Sequence, residues 1–162
     1  MKLISIISLL FFMTNIYAAR VSVGVIIGEP TGLSCKIWPK NKEIAFDLAF
    51  AFKFNDLLYF HFDFLKHNFK LIPKEELTGD LPLFWGLGLK IKNRKIKDES
   101  KSYFGLRAPV GFEYIFKEIP FDIFAEIVPV VLLTPNITAE LNAVIGIRYH
   151  FLEFYCDNRE VD

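Results

Sequence analysis

Ser34, His61 and Asp63 are the residue types of a nucleophilic relay: a hydroxyl that attacks, an imidazole that takes its proton, and a carboxylate that orients the imidazole. Their spacing counts against that role. His61 and Asp63 stand two apart in LYFHFDFLK (Leu58–Lys66), so on a strand they share a face with Cα atoms ~6.6 Å apart. A residue on the neighbouring strand would be nearer, at about 5 Å. Nothing in the chain order brings Ser34 to them, and no catalytic residue is expected. The two cysteines, Cys35 and Cys156, form no Cys-x-x-Cys and no zinc spacing. Both are expected as free thiols, and neither a metal nor a cofactor is expected.

A larger set does different chemistry. Lys36, Asp47, His61, Asp63, Lys90, Arg107, Glu113, Glu126 and Arg148 all fall on the small, mixed face of alternating runs. If that face is shut off from water, each charge must find a partner, because an isolated buried one costs several kcal/mol. The set then reads as a structural salt-bridge network. Arg107 and Glu126 are the expected pair, lying either side of the short turn KEIP (Lys117–Pro120), with the pairing diagonal or shared with Glu113. Replacing both together is expected to cost much less than replacing either one.

The elements that must hold these residues are strands. Runs rich in aromatic and β-branched residues alternate with turn chemistry, and no convincing helical period appears. Eight runs are read: Arg20–Gly28, Leu33–Trp38, Ile44–Phe52, Leu58–Lys66, Leu83–Lys92, Tyr103–Phe116, Phe121–Leu133 and Glu140–Phe151. Successive strand residues point to opposite faces. One face is continuously large and apolar, as in Ile44, Phe46, Leu48, Phe50 and Phe52, or Phe60, Phe62 and Phe64. The other mixes Gly and Ala with the charges above.

A soluble barrel fills its inside with bulky apolar residues and charges its outside. Here the charged face holds too much Gly and Ala for a solvated surface, and it suits the narrow interior of an eight-stranded barrel. The apolar face then suits lipid. The fold expected is all-β: an eight-stranded antiparallel up-and-down transmembrane β-barrel over residues 19–151. The first 18 residues read as a signal peptide, with Lys2, an apolar Leu3–Met13 and a cleavage site at Ile16–Ala18. Of the 162 residues 52% are hydrophobic and 16% aromatic, and the 19 basic residues are matched by 19 acidic ones, so nucleic acid is not implied as a partner.

On GEPTGLSCKIW (Gly28–Trp38) and the ending GIRYHF (Gly146–Phe151), the chain resembles the small eight-stranded outer-membrane barrels of Gram-negative-type bacteria, the OmpA- and OmpX-like group. The ending is similar to the C-terminal insertion signal of such barrels. The resemblance implies an outer-membrane location, lipid and the barrel-insertion machinery as partners, and a monomer. Barrels of that group commonly stop at the terminal aromatic, whereas this chain continues through residues 152–162, read as a short periplasmic tail. With both ends periplasmic, KNRKIKDESKS (Lys92–Ser102) is an extracellular loop. Its Lys92, Arg94, Lys95, Lys97 and Lys101 are candidates for binding lipopolysaccharide or a host-surface polyanion. His67–Asp80 then becomes a long periplasmic connection. The function expected is structural or adhesive, without enzymatic activity. Two alternatives remain open: a barrel enzyme on lipid A or another lipid, and a soluble secreted barrel binding an apolar ligand.

Overall fold

Period-two alternation places the side chains, and backbone pairing closes the sheet. The computed structural model describes residues 20–39, 43–53, 57–71, 78–96 and 99–151. The signal segment, the tail, Lys97 and Cys156 lie outside the described residues. The strands are β1 (Arg20–Gly28), β2 (Gly32–Trp38), β3 (Ile44–Lys53), β4 (Leu57–Asn68), β5 (Gly79–Asp80), β6 (Leu83–Ile96), β7 (Glu99–Arg107), β8 (Val110–Phe116), β9 (Phe121–Thr134) and β10 (Thr138–His150). All pairings are antiparallel, and β1 closes the ring on β10 from Ser22↔His150 to Gly28↔Val144. Among the described residues no helix is long and apolar enough to cross a membrane.

Among the described residues ten segments make eight staves. β5 and β6 both pair with β8 and form one stave; β7 and β8 both pair with β6 and β9 and form another. The unbroken run expected from Tyr103 to Phe116 is therefore corrected to two strands, interrupted at Ala108–Pro109. Proline brings no N–H to a ladder. The neighbours absorb the gap: Ala108 N–H donates to the Pro129 carbonyl, Gly86 N–H to that of Pro109, and Glu113 N–H to that of Pro82.

A second correction concerns the basic loop expected at Lys92–Ser102. β6 runs on to Ile96 and β7 begins at Glu99, with registered pairs from Gly88↔Arg107 to Ile96↔Glu99. The segment is a hairpin of β6 and β7, paired as far as Ile96 and Glu99. Charged side chains do not end a strand whose backbone groups still find partners.

The faces divide as alternation requires. On β4, Phe60, Phe62 and Phe64 are exposed, with Phe62 at 40%, while Tyr59, His61 and Asp63 are buried, with Asp63 at 0%. On β10, Leu141, Ile145, Ile147 and Tyr149 face out, and Asn142, Val144, Arg148 and His150 face in. Cys35 is a free, half-buried thiol on β2. Two apolar clusters share the interior with the charges: Trp38, Leu65, Phe84 and Phe124 with their neighbours, and Val128, Val130 and Leu132.

Gly88 faces Asp63 on β4 and Arg107 on β7. A Cβ there would run into the Asp63 carboxylate and the Phe62 carbonyl. Gly88→Ala is expected to destabilise the barrel by about 1–3 kcal/mol, whereas the outward Phe62→Leu should stay within about 0.5 kcal/mol. Urea unfolding in detergent checks both.

Candidate functional site

All nine charged or imidazole residues expected on the inner face are buried at 5% exposure or less. They assemble around two guanidiniums. Arg148 of β10 donates from Nη1 to Asp47 Oδ1 at 2.7 Å, from Nη2 to Glu113 Oε1 at 2.7 Å, and from Nε to Asp122 Oδ1 at 2.9 Å. The three carboxylates come from β3, β8 and β9. Its guanidinium carbon also lies 3.9 Å from the Phe124 ring centroid. A planar fork of five donors can serve three acceptors at once in fixed geometry.

Arg107 of β7 anchors the second cluster. Its Nε stands 2.9 Å from Asp63 Oδ1 and its Nη2 3.2 Å from Glu126 Oε1. Nη1 donates to the Tyr59 hydroxyl and lies against His61 Nδ1, each at 2.6 Å. The expected Arg107–Glu126 contact is present, and it is diagonal: Arg107 is registered with Val130, not with Glu126. Glu113 belongs instead to Arg148 and to Lys36, whose Nζ lies 2.5 Å from Glu113 Oε2.

Lys36 also sits 2.9 Å from His67 Nε2 and over the rings of Trp38 and Phe84, 4.6 and 5.0 Å from their centroids. Such cation–π contacts hold an ammonium where water is excluded. Lys90 lies nearer the far end and pairs with half-buried Glu140 at 2.8 Å. His61 joins the two clusters, its Nε2 facing Asp47 and Asp63 at 3.5 and 3.8 Å. Ser34 is buried on β2, registered with Ala49 of β3, which in turn faces His61 on β4. It stands two strands from the imidazole, about 10 Å of sheet, and its hydroxyl has no hydrogen-bond partner among the described residues.

The expected network omits three more lumen residues: His67, Asp122 and His150 are buried there, with His67 Nε2 3.2 Å from Glu113 and His150 Nε2 3.0 Å from Asp122. His150 already shares the mixed face of the last run with Arg148 in the sequence. Parity was the available signal. His67 continues the Tyr59–His61–Asp63 face beyond the strand end that was read, and Asp122 shares the face of Glu126. Of the basic candidates, Lys92 approaches Glu29 at 3.7 Å, and Arg94 and Lys101 are registered with each other on the exposed hairpin. Lys95 belongs to β6. Lys92, Arg94, Tyr103 and Glu140 line a cavity of about 100 Å³.

An antiparallel barrel of eight staves, apolar outside and charged within, is the class of protein that this fold and lumen define. The chain belongs to the family DUF3996, described as a protein of unknown function, whose model matches residues 14–156. No curated protein matches the chain. The barrel is similar to the N-terminal β-barrel domain of Pseudomonas aeruginosa OprF, at 13% identity and a TM-score of 0.54, covering 82% of this chain and 96% of that one. It is also similar to Ail, the attachment invasion locus protein of Yersinia pestis, at 16% identity and a TM-score of 0.42, covering 82% and 97%. At these identities the likeness to the OprF domain is one of fold.

Arg107 serves two carboxylates, which changes the mutational expectation for the pair. Arg107→Met leaves Asp63 and Glu126 both uncompensated and should cost about 3–5 kcal/mol. Glu126→Met removes a carboxylate with a single arginine contact and should cost distinctly less. The double variant should keep most of the Arg107→Met loss, because Asp63 stays orphaned. Urea midpoints of the three variants test this order.

Proposed function

We propose that the chain is an integral outer-membrane barrel whose lumen is closed by ion pairs and whose role is structural or adhesive. One observation carries the reading. Large apolar side chains cover the outside on every long stave, including Ile27, Phe50, Phe64, Leu87, Ile127 and Ile145, while the charges are buried inside. Exposed apolar surface of that extent has no place in water. A closed ring of strands satisfies the backbone in lipid.

In this reading the end that carries Arg20 and His150 faces the periplasm. The hairpin of β6 and β7 then rises on the outer side, presenting Arg94 and Lys101 to anionic surfaces.

Fractionation tests the location. The mature protein, beginning near Ala19, should be recovered with outer membranes, and a folded, detergent-free periplasmic form would overturn the reading. In planar bilayers it should conduct little, since side chains fill an eight-stranded interior; large, stable conductance would contradict a closed lumen. For the adhesive role, Arg94→Glu with Lys101→Glu should weaken binding of whole cells to a sulfated polysaccharide, and more so at low salt. Unchanged binding would remove the hairpin from that role.

A further inference from the structure

Asp47 of β3 and Asp63 of β4 are direct cross-strand partners, and both are buried. Like charges set opposite each other destabilise a sheet. The two arginines occupy only half of each carboxylate: Arg148 Nη1 is 2.7 Å from Asp47 Oδ1, and Arg107 Nε is 2.9 Å from Asp63 Oδ1. The remaining oxygens, both Oδ2, converge on His61 Nε2 at 3.5 and 3.8 Å. The three donor atoms lie within 4.8 Å of one another.

These distances are long for hydrogen bonds. Among the described residues Asp63 Oδ2 accepts none, although the residue is fully buried. Donors that share a metal ion at ~2.1 Å stand roughly 3–4 Å apart around it, so small side-chain shifts would close the three on an ion. Charge points the same way. Among the described residues the buried lumen charges are the carboxylates of Asp47, Asp63, Glu113, Asp122 and Glu126 and the cations Lys36, Lys90, Arg107 and Arg148. The carboxylates exceed the cations by one when the histidines are neutral.

We propose that Asp47, His61 and Asp63 form a binding site for a divalent first-row metal ion, with zinc the best fit. One imidazole and two carboxylates suit zinc or manganese rather than calcium, which asks for six to eight oxygens. The surroundings supply the outer contacts that such ligands use. Each carboxylate is held from behind by a guanidinium, and the Tyr59 hydroxyl lies 3.1 Å from His61 Nδ1, placed to accept its proton when Nε2 binds the ion. Arg107 Nη1, now 2.6 Å from that nitrogen, then keeps the Tyr59 hydroxyl as its partner. A divalent ion offsets the excess negative charge.

Untagged protein is refolded in detergent with Zn²⁺ or Mn²⁺ and desalted over a chelating resin. Bound metal is measured by elemental analysis, and the folded fraction by the gel shift between heated and unheated samples. The wild type should retain about one equivalent of Zn²⁺. His61→Gln and Asp63→Asn should lose at least about tenfold in affinity, while Glu140→Gln, which removes a carboxylate elsewhere in the lumen, should keep the metal. Folded wild type that carries no metal, or equal retention in His61→Gln and Asp63→Asn, overturns the proposal. If those two variants do not fold, the wild type decides alone. A visible Co²⁺ absorption band with a urea midpoint that rises with Zn²⁺ supports the site, and the lack of either overturns it.

Discussion

A single guanidinium ties the barrel together across its lumen. Arg148 stands on β10 and bonds to carboxylates on β9, β8 and β3; β3 lies three staves away around the ring in the other direction. Buried charges are tolerated only when pairing and hydrogen bonds offset their lost hydration. Each acceptor must therefore reach the fork, and the staves that carry them are fixed relative to one another. Lys36 and His67 extend the cluster from Glu113, and His150 extends it from Asp122. Arg107 repeats the arrangement nearer the other end, and His61 stands between the two.

That requirement explains the small residues. An eight-stranded barrel has little more than the volume of its own side chains inside. Two arginines, two lysines, three histidines and the Trp38, Phe84 and Phe124 rings leave room only where neighbouring positions give up theirs. Gly88, pressed against Asp63 between β4 and β7, is such a position. The apolar residues excluded from the lumen then have one direction left, outward. A charged interior and an apolar exterior are thus one consequence of the same parity.

Much of this was legible in the chain, because a strand needs only a period of two to declare its faces. Phe60, Phe62 and Phe64 against Tyr59, His61 and Asp63 divide on β4 as they alternate in sequence. Partners were harder to read. Glu113 follows Arg107 by six residues, yet its arginine is Arg148, 35 residues on, because register across the ring decides which charges meet. Ends of strands were also obscure. The Lys-rich stretch at the end of β6 looks like a loop by composition, but composition does not report whether the backbone still has a neighbour, and β7 supplies one as far as Ile96↔Glu99. His67 was lost for the same reason, one residue past the strand end that was read.

The two ends of the barrel are built differently. At the end opposite Arg20 and His150 the connections are short, residues 29–31, 54–56, 97–98 and 135–137; at their own end they are 39–43, 69–78 and 117–120. Transmembrane barrels usually carry short turns on the periplasmic side and longer loops outside, so in the proposed orientation this one reverses the pattern. Recognition at the outer surface then cannot rest on long loops that order when they bind. It would rest on the β6–β7 hairpin, which continues beyond the last pair with β4, Leu57↔Arg94, and is held by its own ladder. A surface already ordered by backbone hydrogen bonds loses little conformational entropy on contact. Its charges stand in fixed register, Arg94 opposite Lys101, so in the proposed adhesive role the hairpin would suit a flat, repeating anionic surface better than a shaped ligand.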